Sequence, residues 1–80
     1  MKIAAIKKLI AEYSLEQLQK AEEDILEERN AEITIEGDDE GEQLTHATAA
    51  IAVLQDMKAN GVDERTALRN YTQRVRNSIG

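Results

Sequence analysis

Ile3, Ile6, Leu9, Ile10 and Tyr13 recur every three or four positions, with Lys2, Lys7, Lys8 and Glu12 between them. That spacing predicts an amphipathic helix. Carried past Tyr13, the same phase would turn Gln17, Lys20 and Asp24 inward, whereas the apolar residues there are Leu15, Leu18, Ala21, Ile25 and Leu26. The stripe has rotated at Ser14. Ser14 followed by Gln17 fits a capping box, and Tyr13 and Leu18 on either side fit a hydrophobic staple. The reading is a first helix ending near Tyr13 and a second from Leu15 to about Arg29, with one kinked helix over 2–29 as the alternative.

Asn30 to Glu42 breaks the period. Ile33 and Ile35 alternate with Glu32, Thr34 and Glu36 before Gly37-Asp38-Asp39-Glu40-Gly41. With no second run to pair with, this segment reads as an extended acidic loop that tucks both isoleucines onto the bundle rather than as a strand. A third helix then begins close to Glu42, where the preceding carboxylates suit the positive end of its dipole. Its stripe is Leu44, Ala47, Ile51, Leu54 and Met57, with Ala50 and Val53 alongside. Asn60-Gly61 closes it, Gly61 supplying a left-handed residue. Asp63 caps a fourth helix, Val62 can staple to Ala67, and Leu68, Tyr71, Val75 and Ile79 face inward. The expected fold is all-α: a small bundle of three to four helices with an acidic extended loop before the third long helix.

Composition narrows this picture. Eighty residues support one domain, residues 1–80, with one core. That core lacks Phe and Trp and must be built from aliphatic residues, two Tyr and many Ala. The absence of cysteine excludes disulfides, zinc-thiolate sites and thiol chemistry. Charges interrupt the start too early for a signal peptide, and the uncharged stretch from Gln43 to Gln55 is too short to span a bilayer. A cytoplasmic location is the expectation.

Charge is unevenly placed. Glu16 to Glu42 holds twelve acids against Lys20 and Arg29, a local charge of −10, while the remainder carries +4, for −6 in total. Such a chain repels nucleic acid as a whole yet offers local basic faces. If the second helix packs beside the fourth, Glu22, Glu23, Glu27 or Glu28 can meet Arg65, Arg69 or Arg76.

Met1-Lys2-Ile3 with Ile6-Lys7, the helix start from Glu42 to Ile51, and the ending Arg74-Val75-Arg76-Asn77-Ser78-Ile79 resemble a family of short, acidic, cysteine-poor bacterial proteins of unknown function. The resemblance implies a small helical fold and assigns no activity, so no functional residue is carried over.

Candidate chemistry is sparse. His46, the only histidine, follows Glu42 by one turn, which makes half of a metal site that Asp38 or Asp39 would have to complete. The bland alternative is a partly exposed structural histidine. Glu36 to Glu42 has the alternating acids of a calcium loop, but Ala47 stands where the closing Glu belongs. The turn at Asn60-Gly61-Val62 suggests a helix-turn-helix within 44–79 that would present Arg65, Arg69 and Arg76 to DNA; Asp56 and Asn70 occupy positions that this motif keeps apolar, and the net charge opposes a polyanion. Ser14 and Ser78 have no histidine nearby in sequence. No catalytic, cofactor-binding or metal-binding residue is assigned and no cofactor is expected. The leading expectation is a non-enzymatic protein–protein interaction module whose partner is another protein or a second copy, self-association using the Ala-rich face of the third helix. A DNA-binding regulator and an acidic metal-binding protein are the alternatives.

Overall fold

The computed structural model describes the backbone of residues 1–79 and the side chains of residues 1–78. Four helices follow in chain order: α1 (Ile3–Glu12), α2 (Leu15–Leu26), α3 (Glu40–Asn60) and α4 (Glu64–Ile79). The break between α1 and α2 falls where the apolar stripe rotates. At Ser14 the hydroxyl accepts the Gln17 N–H (3.2 Å) while the Gln17 side chain accepts the Ser14 N–H (2.9 Å), so both halves of the capping box form. Two helices are present, and the single kinked helix is set aside.

α2 stops at Leu26, short of Arg29, because Glu28 adopts a left-handed conformation with φ 60°. The Glu28 N–H reaches back to Ile25 (3.1 Å) and the Arg29 N–H to Asp24 (2.7 Å), which satisfies two carbonyls of the last turn. Residues 31–39 then run without regular structure, and Ile35 is buried while Ile33 packs at the edge of the core. The tucked loop is what the chain forms. Gly37 is required there by space, since a Cβ would lie 2.8 Å from both the backbone N and Cγ of Gln43.

α3 begins at Glu40, a half-turn before the expected start, because the Asp39 carboxylate accepts the Glu42 N–H at 2.8 Å. It is the central element, with α1, α2 and α4 all packed against it. His46, Ala47, Ala49, Ala50, Ile51 and Val53 are buried; at 100° per residue they cover roughly 200° of the helix circumference. A helix surrounded on three sides needs small side chains so that its neighbours can come close, which accounts for the alanines. The same packing takes the Ala-rich face out of contention as a docking surface: Ala47, Ala49 and Ala50 are buried within this chain's own core.

Gly61 ends α3 with φ 64°, and its N–H returns to Met57 at 3.0 Å. The Asp63 carboxylate then accepts the Thr66 N–H at 2.8 Å, capping α4. Ala67 and Leu68 are buried against the core and Tyr71 packs beside them. The side chain of Ile79 lies outside the described residues.

Candidate functional site

His46 is fully buried, 0% exposed, rather than partly exposed. Its Nδ1 lies 2.6 Å from the Glu36 carbonyl, and its Nε2 accepts the Lys2 backbone N–H at 3.0 Å. A carbonyl only accepts and a peptide N–H only donates, so the ring proton sits on Nδ1. Both nitrogens are thus spent on tying the start of α1 and the end of the acidic loop to α3. The one free lone pair, on Nε2, is taken by the Lys2 N–H and is not left for a metal. Glu42, one turn earlier, has one carboxylate oxygen buried with no hydrogen-bond partner. Among the described residues no three His, Asp or Glu side chains gather where they could hold a metal ion.

Part of the acidic segment is committed to local structure. Asp39 caps α3, and Glu36 pairs with Lys8 of α1 at 3.2 Å. The Glu36 carboxylate, with Glu12 adding to it, holds the Lys8 ammonium above its ordinary pKa. Asp24, only 3% exposed, is held by Lys20 at 3.2 Å and by Arg29 at 3.1 Å. Arg29 also meets Glu27 at 2.8 Å and Glu23 at 3.8 Å. In a crevice of about 200 Å³ bordered by Glu16, Lys20, Asp24, Glu32 and Ile33, the Asp24 carboxylate is therefore already paired. Glu22 accepts the Thr48 hydroxyl at 2.9 Å.

Among the described residues the expected ion pairs between α2 and α4 do not form. Both helices pack on α3 rather than side by side, and the α2 acids are answered by Lys20 and Arg29 of their own segment. Arg65, Arg69, Arg74 and Arg76 are exposed, and among the described residues none lies within 4.0 Å of a carboxylate. They act only at longer range. Asp63 is held below its ordinary carboxylate pKa by its hydrogen bonds to Thr66, with Arg65 and Arg69 adding. Asp56 is lowered by the amides of Asn60 and Asn70, with Arg74 adding. Asn70, read as misplaced for a helix-turn-helix, thus has an acceptor across the α3–α4 turn in Asp56, at 3.3 Å.

Part of this cationic face is concave. Between α1 and α4 runs an open groove of about 530 Å³ whose apolar surface comes from Ile3 and Leu68. Lys7, Arg65 and Arg69 line it, with Glu64 as its single acid. Sequence reasoning named the arginines but missed their neighbours on α1. Ile3, on the apolar stripe of α1, is 38% exposed at the groove. The periodicity marks Ile3 as apolar; it does not say which helix stands beside α1 once both pack on α3.

Residues 1–80 match the family model described as a family of unknown function, DUF6952, and the chain belongs to that family. No curated protein and no solved structure matches it.

Proposed function

We propose that this member of a family of unknown function is a non-enzymatic protein–protein interaction module. The observation that carries the reading is the cationic face of α4, where Arg65, Arg69 and Arg76 fall within about 40° of one another around the helix, exposed and without close carboxylate partners among the described residues although the chain holds sixteen acids. A scaffold role for these charges would pair them internally; a binding role leaves them presented. The groups that chemistry would recruit are otherwise engaged. The Ser14 hydroxyl caps α2, the Ser78 hydroxyl donates to the Arg74 carbonyl at 2.9 Å, and both His46 nitrogens are bonded to backbone. Among the described residues no helix is long and apolar enough to cross a membrane, and a cytoplasmic site of action fits the cysteine-free composition.

The test is capture from host lysate by the immobilised wild-type chain and by a variant carrying Arg65→Glu with Arg69→Glu. A protein retained by the first and lost by the second, with helicity equal in both, is the expected result. An identical set of retained proteins would reject α4 as the binding face.

A further inference from the structure

We infer that the groove between α1 and α4 seats an acidic amphipathic helix of a partner protein, an inference that rests on the interaction-module reading. On α4, Arg65, Leu68, Arg69 and Thr72 stand at intervals of three and four, so they share one face over two turns. On α1, Ile3 and Lys7 are one turn apart and line the same groove. The two helices thus form two ridges, with apolar surface mainly from the exposed Ile3, the buried Leu68 showing only its edge at the floor, and cations from Lys7, Arg65 and Arg69. The complementary ligand has Leu or Ile along a central stripe and Glu or Asp one turn apart at its edges, which is how a helix fits a groove of this kind.

Two features favour this occupant over others. Phosphate chains have no use for the apolar surface, and Glu64 lies within the groove, so a polyanion without apolar groups is a poor match. A second copy could offer acidic α2 only through Leu26, which is exposed, since Leu18 and Ala21 of the same helix are buried in its own core and leave no continuous apolar stripe. The overall charge of −6 does not overrule the local field. Screening confines each charge to about 8 Å at physiological salt, and within the groove cations outnumber the acid.

The probe is a fluorescein-labelled synthetic helix with Leu along one face and Glu flanking it, titrated with the full chain and followed by anisotropy. Saturable binding that weakens as salt rises is expected. Lys7→Glu, and separately Arg65→Glu with Arg69→Glu, should each weaken it roughly tenfold or more while circular dichroism stays unchanged. Placing the two substitution sets on different helices guards against a local folding defect in either. A companion peptide with Lys in place of Glu should reverse the preference and bind the Arg65→Glu, Arg69→Glu chain better than wild type. Absence of binding, indifference to the charge reversals, equal binding of random duplex DNA, or self-association that uses these same residues would each overturn the inference. If the acidic peptide fails while the double variant still loses its cellular partner, the interaction reading stands and the acidic helix falls.

Discussion

At residue scale the most constrained side chain is His46, which reads from sequence as half of a metal site or a partly exposed structural histidine and serves as a structural tether that is fully buried. Its two partners are backbone groups, at Lys2 and Glu36, so replacing it with Leu would leave a part-buried N–H and a part-buried carbonyl without their partner. Each stranded group costs about 1–3 kcal/mol, and we expect His46→Leu to lower the urea stability by about 3 kcal/mol. Nitrogen-15 spectra at neutral pH should show the proton on Nδ1; a proton on Nε2 alone would contradict the tether. Asp56 and Asp63 make a second prediction, about pH. Both have folded-state pKa values below the ordinary 3.8. Their contribution is therefore present above that value and lost as pH falls through the lowered ones. Thermal melts should show this loss only below about pH 4, and the Asp56→Asn, Asp63→Asn chain should be less acid-sensitive than wild type over that window.

At element scale the two helix ends that adopt left-handed residues contrast. Gly61 meets that demand without strain, whereas Glu28, with φ 60°, carries a Cβ where glycine is favoured. Glu28→Gly should stabilise the fold by about 1 kcal/mol, and Gly61→Ala should destabilise it by about the same amount, both read from urea midpoints. Opposite signs at the two sites are the discriminating result. These ends also show what was legible. The α1–α2 break and the close of α3 are written in local signals, a phase change with a capping box at Ser14 and an Asn60-Gly61 pair. The end of α2 carries no such signal, because the residue that turns left is a glutamate; only its backbone hydrogen bonds reveal it. The burial of His46 was illegible for a related reason. Its partners are main-chain atoms 44 and 10 positions away, and main-chain atoms leave no mark in a sequence. The Ala-rich stretch of α3 could be recognised as allowing close approach, but whether the approaching helix belongs to this chain or another depends on how three helices share one surface.

At the scale of the whole molecule, the order of helices around α3 decides which charges meet. With α2 and α4 each packed on α3, the α4 arginines add little to folding. Arg69→Glu should leave urea stability within about 0.5 kcal/mol, whereas Leu68→Ala, which empties a buried site, should cost about 2–5 kcal/mol. A large loss from Arg69→Glu would reinstate a structural ion pair.

The same order bears on nucleic acid. In a helix-turn-helix the first turn of the second helix reads base edges, and in this chain that turn carries Glu64 directly after the cap Asp63. Two carboxylates would thus meet the phosphates and base edges first, and each must be desolvated beside a polyanion. The arginines begin at Arg65 but partly line the groove with α1 rather than forming a convex ridge suited to the major groove. Counterion release from so few phosphate contacts gives little affinity, and the charge of −6 opposes approach. Fluorescence anisotropy with random-sequence duplex at physiological salt should therefore show no micromolar binding. Micromolar or tighter binding that falls steeply with salt would place α4 on DNA after all, and Asp63→Asn should then tighten it by removing one of the two opposing charges.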